Sequence, residues 1–123
     1  MRHEVTDADT APAMGSGDVP VLGTPRLIAW MEAATVRVVA PLLTARQTTV
    51  GTAIRIEHRR ATAVGDSVEI TATPPLDTSS RQLLFGVEAV DGSGRIVAAG
   101  EIDRVIVDRD RFLRAAFRPE TAP

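Results

Sequence analysis

His58 is the residue whose type and setting most suggest chemistry. It lies near the end of a strand-like segment, residues 48–60, in which apolar and polar residues alternate, so side chains two apart share a face. A histidine that continues an apolar row is either a packed core residue or a catalytic one. The alternation predicts a buried face of Val50, Thr52, Ile54, Ile56 and His58, and an exposed face of Gly51, Ala53, Arg55, Glu57 and Arg59.

Composition limits the chemistry open to this chain. Its 123 residues include no Cys and no Tyr, and all 14 basic residues are Arg. These absences exclude a disulfide framework, a thiolate nucleophile and a Schiff base on Lys. The two histidines, His3 and His58, lack the spacing of a metal site. Any catalysis must therefore use carboxylates, His58, hydroxyl groups or backbone amides.

Charge and hydropathy exclude two classes of partner. The net charge of −2 and the 3% aromatic content argue against nucleic-acid binding. No apolar run approaches the roughly 18 residues of a membrane span, and the polar, acidic N-terminus is unlike a signal peptide. We therefore expect a cytoplasmic protein that binds neither nucleic acid nor a membrane.

A helix predicted from about Pro25 to Val39 carries two further polar candidates. Gly23-Thr24-Pro25 is a helix-start signal in which Thr24 could cap free amides, and Pro41 ends the run. Glu32 stands at the border of the apolar stripe, so it is either a solvated carboxylate or a functional one. The stripe consists of Leu27, Ile28, Met31, Ala34, Thr35 and Val38.

The remaining segments predict an antiparallel sheet. A short strand precedes the helix, and four consecutive strands with short turns follow it, including a hairpin at Asp91–Gly94. A helix with one apolar stripe can lie across such a sheet, which makes an α+β two-layer domain with open edges that favour oligomers. The predicted strands are residues 3–6, 48–60, 67–73, 81–90 and 95–107, with a closing helical turn in 108–118.

The spacing of several motifs resembles a known family. Thr24 and Glu32 are eight residues apart, the run Val-Gly-Thr-Ala-Ile occupies 50–54, His58 follows Glu32 by 26 residues, and Gly65 precedes the next strand. From roughly residue 19 to 112 this pattern resembles hotdog-fold thioesterases of the fluoroacetyl-CoA thioesterase type. The resemblance implies a long central helix wrapped by an antiparallel sheet of about five strands, as a single domain over 1–118 with a loose tail at 119–123.

The resemblance also implies an activity and its residues. The family's catalytic positions fall on Thr24, Glu32 and His58, and Gly51 falls where a backbone amide contacts the thioester oxygen. Glu32 would act as nucleophile or general base, His58 would orient or protonate, and Thr24 would bind Glu32 or a water. The implied enzyme is an acyl-CoA thioesterase without metal or cofactor, coenzyme A being part of the substrate. It would be a homodimer or tetramer with its site at the subunit interface.

One departure bears on the substrate. The fluoroacetyl-selective enzyme has an aromatic gate before its Thr, whereas residues 14–23 here contain no aromatic residue. We therefore expect a short- or medium-chain acyl thioester, carried by CoA or by an acyl-carrier protein. Arg59 and Arg60 follow His58 and are either solvated or in contact with CoA phosphates.

The residues are also compatible with two other functions. A hotdog dehydratase or hydratase acting on 3-hydroxyacyl or enoyl thioesters also pairs His with an acidic residue. A non-catalytic module that binds acyl thioesters would need the pocket alone. The Glu on the helix followed by a downstream His resembles the thioesterase arrangement more closely.

Overall fold

A single antiparallel sheet and one long helix build the protein, as described by a computed structural model over residues 1–117. The described strands follow the order β1-β3-β4-β5-β2, and helix α1 packs against β2, β3 and β4. This arrangement confirms the predicted α+β architecture. The elements are β1 (Arg2–Glu4), α1 (Thr24–Val39), β2 (Gln47–His58), β3 (Ser67–Thr73), β4 (Gln82–Asp91), β5 (Ile96–Asp108) and α2 (Arg109–Ala116).

Helix α1 begins one residue earlier than expected, and this changes the role of Thr24. Gly23 is the N-cap, and Thr24 is the first helical residue, followed by Pro25. The prediction that the Thr24 hydroxyl caps the helix is therefore wrong, because a residue inside the first turn no longer occupies the capping position. Its hydroxyl is available for another partner. The helix ends at Val39, before a short turn that contains Pro41.

The core lies between the apolar stripe of α1 and the inner face of the sheet. Phe85 is fully buried and Leu83 nearly so, and they pack with Val39 in one cluster. Alternation places every second residue of β4 on this face, as predicted. The second and larger cluster joins the helix to the sheet and includes Leu27, Met31, Ala34, Val68, Ile70, Val87, Ala89 and Ile102.

Strand β2 contains an extra residue that changes which side chains face the helix. It pairs antiparallel with β5 from Gln47 to His58, with a register shift between Gly51 and Ala53. Thr52 is the residue left out of the pairing, and it is exposed. The predictions that Thr52 is buried and that Gly51 faces away from His58 are therefore wrong. An extra residue in one strand reverses the alternation beyond it, as in a β-bulge.

The two glycine turns lie where they were expected. Gly65 and Gly94 have φ of +95° and +80°, a region that residues with a Cβ seldom adopt. Helix α2 falls inside the predicted closing segment, and the predicted tail, 119–123, lies outside the described residues. No helix among the described residues is both long and apolar enough to cross a membrane.

Gly100 offers a direct test of how closely β5 and β2 approach. A Cβ at Gly100 would overlap the backbone carbonyl of Arg55, whereas a Cβ at Gly92 would meet no atom within 4 Å. Because backbone cannot move as freely as a side-chain end, we expect Gly100→Ala to cost about 3 kcal/mol of unfolding free energy. Gly92→Ala is the control and should stay within about 0.5 kcal/mol of the unsubstituted protein. Equal urea midpoints for the two variants would contradict this packing.

Candidate functional site

Thr24 and His58 meet where the start of α1 crosses the end of β2. The Thr24 Oγ1 and His58 Nδ1 atoms are 2.7 Å apart. When the imidazole is neutral, the hydroxyl donates to Nδ1, and the ring carries its proton on Nε2. A hydroxyl bonded in this way to a basic nitrogen is the arrangement of an activated nucleophile. We call these two residues the Thr24–His58 pair.

Burial keeps His58 in the form that this bond requires. Desolvation lowers the pKa of His58, and the polar backbone of Arg60 opposes that shift to a smaller extent. At neutral pH the ring is therefore uncharged, with Nδ1 as an acceptor. Its Nε2 atom is buried and has no hydrogen-bond partner within residues 1–117. A buried polar atom without a partner suits a site that is completed by a ligand or by another chain.

Glu32 lies against Gly51, farther along the same helix and strand. A Cβ built on Gly51 would lie 2.9 Å from Glu32 Oε2, so the absence of a side chain makes room for the carboxylate. The same oxygen lies 3.5 Å from Arg104 Nη1. The Glu32 side chain is 37% exposed, whereas that of Arg104 is 7% exposed. We call these three residues the Glu32–Gly51–Arg104 group.

Arg104 is a residue of the candidate site that the sequence did not predict. Its Nε donates to Thr49 Oγ1 at 2.9 Å, and its Nη2 donates to the Thr49 carbonyl at 3.1 Å. Burial lowers the pKa of Arg104 while the charge of Glu32 opposes this, and an arginine remains protonated in either case. The sequence does contain a signal for a buried arginine at this position. Arg104 lies between Ile102 and Ile106 on the face of β5 that alternation predicts to be buried.

The pair and the group are separate within one chain. Thr24 and Glu32 are eight residues apart on α1, or about 12 Å along a helix axis. Gly51 and His58 are seven residues apart on β2, or roughly 20 Å along a strand. The fold therefore joins Thr24 to His58 and Glu32 to Gly51. The Thr24 hydroxyl bonds to His58, and the expectation that it binds Glu32 is not met within the chain.

A cleft of about 310 Å³ opens beside the Thr24–His58 pair. Residues 16–19 and 21–24 border it on one side, and residues 58–61 border it on the other. Among the residues that the structure describes, no three His, Asp or Glu side chains come together as metal ligands.

The protonation state of His58 can be measured directly. We expect NMR to give His58 a pKa below 6.5, the ordinary value for histidine, because burial disfavours the charged ring. The neutral ring should carry its proton on Nε2. Thr24→Val removes the hydroxyl donor at nearly constant volume and should raise the pKa and weaken the tautomer preference. An unchanged pKa and tautomer in this variant would contradict the bond between Thr24 and His58.

Comparisons with known proteins identify the family of the chain. A family model described as fluoroacetyl-CoA-specific thioesterase matches residues 5–110. The chain is 34% identical over 101 residues to the fluoroacetyl-CoA thioesterase of Streptantibioticus cattleyicolor, which covers 82% of this chain and 70% of that protein.

Solved structures show the same fold. A structure of the fluoroacetyl-CoA thioesterase FlK has a TM-score of 0.88 at 25% identity and covers 98% of this chain and 93% of that one. A FlK mutant in complex with fluoroacetate and CoA has a TM-score of 0.87 at 26% identity, covering 98% of each chain. A hot-dog-like protein from Thermanaerovibrio acidaminovorans has a TM-score of 0.87 at 20% identity, covering 100% of this chain and 90% of that one, and supports the fold alone. The hotdog fold predicted from the motifs is thus confirmed, and the chain belongs to the fluoroacetyl-CoA-specific thioesterase family.

Proposed function

We propose that the protein is an acyl-CoA thioesterase that hydrolyses a short- or medium-chain acyl-CoA. The observation that carries the proposal is the 2.7 Å contact between Thr24 Oγ1 and His58 Nδ1, with the imidazole kept neutral by burial. Family membership supports it, since one relative is named fluoroacetyl-CoA thioesterase and another was solved with fluoroacetate and CoA.

The Thr24–His58 pair would carry the covalent steps. His58 Nδ1 takes the hydroxyl proton as Thr24 Oγ1 attacks the thioester carbonyl carbon. The carbon–sulfur bond then breaks, the imidazolium returns the proton to the departing CoA sulfur, and the acyl group remains on Thr24. Water, deprotonated by the neutral His58, then attacks the ester carbonyl carbon. The bond from this carbon to Thr24 Oγ1 breaks, the imidazolium returns the proton to Oγ1, and the carboxylic acid leaves. His58 therefore acts first as base and then as acid in each half of the reaction.

The Glu32–Gly51–Arg104 group would face the substrate from the other side. The backbone amide of Gly51 is the proposed donor to the oxygen on which negative charge develops. The Glu32 carboxylate is the proposed hydrogen-bond acceptor that orients the attacking water. Arg104 holds this carboxylate, with its Nη1 atom 3.5 Å from Glu32 Oε2. Thr24, Glu32 and His58 are thus our proposed catalytic residues, and Gly51 is the proposed substrate-binding residue.

A second copy of the chain would bring the two parts together. The edge of β2 that faces away from β5 has no strand partner in residues 1–117. Antiparallel pairing of two β2 strands about an axis between Ile54 and Arg55 would place the partner's Gly51 opposite His58. Ile54 is near this axis and is 40% exposed, which suits a residue that another subunit covers. We therefore propose a homodimer with two composite sites.

The acyl group would be less restricted than fluoroacetyl. The segment of residues 14–23, directly before Thr24, contains no aromatic residue that could close over a small acyl group. The Met14 sulfur packs against Gly23, where an added Cβ would lie 2.9 Å from it. Nothing in this segment resembles a bulky gate, so a short- or medium-chain acyl group is the proposed substrate class.

A panel of acyl-CoA substrates with a free-thiol readout tests the activity. We expect thiol release from one or more short- or medium-chain acyl-CoAs. Thr24→Val and Glu32→Gln should each lower kcat/KM by about 100-fold or more, because each removes a group that takes part in proton transfer or water orientation. Arg95→Gln, at the hairpin between β4 and β5, is the matched surface control and should be unchanged.

Two results would contradict the assignment of thioesterase activity. One is the absence of thiol release from every acyl-CoA in the panel. The other is undiminished release in the Thr24 and Glu32 variants. Hydration of crotonyl-CoA without thiol release would identify a hydratase, and stoichiometric acyl-CoA binding without turnover would identify a binding module.

Mixed dimers test whether each site draws on both subunits. A dimer of one Thr24→Val chain and one Glu32→Gln chain would contain one site with an intact Thr24 and an intact Glu32. For a symmetric dimer mixed at random, we expect about one quarter of the unsubstituted activity to return. The control is a homodimer in which each chain carries both substitutions. This dimer has no site with an intact Thr24 and an intact Glu32, so it should show no recovery of activity. Failure to recover activity, with subunit exchange verified by mass, would contradict the composite site.

A further inference from the structure

The cleft beside the Thr24–His58 pair carries two arginines that the proposed reaction steps do not use. Arg59 and Arg60 border this cleft, which has a volume of about 310 Å³. They follow His58 directly in the chain, so their positions are tied to the imidazole by the backbone. Two cations therefore lie next to the proposed reaction centre.

The backbone explains why both side chains border one cleft. Successive residues of a regular strand point to opposite faces, but β2 ends at His58. Beyond it, the amides of Arg59 and Arg60 both donate to the Val97 carbonyl, at 2.7 and 3.2 Å. Two residues opposite one acceptor bend the chain, as in a β-bulge. This bend places consecutive arginines along the same opening.

The charges of these arginines are available to an anion. Arg59 Nε lies 3.3 Å from Glu57 Oε2 in a pair whose side chains are 50% and 77% exposed, and exposed pairs of this kind are weak. Arg60 makes no ion pair within the part of the chain that the structure describes. Asp18 is the single carboxylate among the described residues that border the cleft. The opening therefore has an excess of positive charge.

The chemical groups along the cleft match one class of ligand. The Thr24–His58 pair borders the cleft, and Arg60 begins about 7 Å farther along the chain than His58, with a long side chain that extends its reach. The apolar Val19 and Val21 border the same cleft, and Val19 is 58% exposed. A thioester, an extended pantetheine arm with its methyl groups, and phosphates carry the matching groups in one molecule.

We propose that Arg59 and Arg60 bind the phosphate groups of the coenzyme A part of the substrate. Guanidinium groups bind phosphate through two parallel hydrogen bonds, which a solvated lysine cannot reproduce. The proposal rests on the proposed thioesterase function, because it takes the Thr24–His58 pair as the position of the thioester. It assigns the recognition of the carrier to this cleft, while the acyl group lies on the other side of the reacting carbon.

Thioesters that differ only in their phosphates test the proposal. The Arg59→Gln/Arg60→Gln double variant should raise KM for an acyl-CoA about tenfold or more, with little change in kcat. Its kcat/KM on the matching acyl-pantetheine, which has no phosphate, should equal that of the unsubstituted enzyme. Acyl-4′-phosphopantetheine separates the sources: a loss shared with acyl-CoA assigns the arginines to the phosphate next to pantetheine, and a loss confined to acyl-CoA assigns them to the nucleotide.

Controls separate this role from a structural one. The Arg2→Gln/Arg37→Gln double variant removes the same charge near β1, at the opposite edge of the sheet from β2, and should leave KM unchanged. Calorimetry with CoA and with pantetheine gives a readout without turnover: the cleft variant should weaken CoA binding alone. Equal CoA affinity in both variants, or an equal loss on acyl-pantetheine, would overturn the proposal. Thiol release from no thioester by the unsubstituted enzyme would instead refute the proposed function.

Discussion

The extra residue at Thr52 is the constraint on which the site depends. Gly51 and His58 are an odd number of residues apart, so a regular strand would turn them to opposite faces of the sheet. The register shift between Gly51 and Ala53 restores both to the face that packs on α1. Without it, Gly51 would not leave room for Glu32, and one surface could not carry both halves of the site. Bulges are common beside active sites for this reason.

Helix and strand then divide the site between two positions. Gly23 caps α1 without a side chain, which leaves the hydroxyl of Thr24 free to bond His58. Two turns later, Glu32 meets Gly51 across the same interface of helix and strand. Since a chain cannot fold these two positions onto each other without breaking α1 or β2, two-fold pairing of β2 strands is the simplest way to join them. The open edge of β2 would serve as both interface and site wall.

Arg104 shows how the fold tolerates a charge near the core. A guanidinium that is 7% exposed would be costly without partners, yet Thr49 accepts two of its hydrogen bonds and Glu32 lies 3.5 Å away. The arginine in turn holds a carboxylate whose side chain is 37% exposed. Removing Glu32 would take the neighbouring carboxylate from the buried guanidinium, while its two hydrogen bonds to Thr49 would remain.

Local pattern was enough to determine the elements of this protein. Apolar spacing, the proline at each end of α1 and the glycine turns predicted one helix and five strands, because these signals depend on neighbours within a few residues. The motif spacing also identified the family and selected Thr24, Glu32, His58 and Gly51. Only the tertiary structure decided which of them touch, that Thr52 is left out of the ladder, and that Arg104 joins Glu32. The register shift in β2 and the contact between Glu32 and Arg104, 72 residues apart, depend on how β2, β5 and α1 pack. The alternation of residues along one strand does not encode this packing.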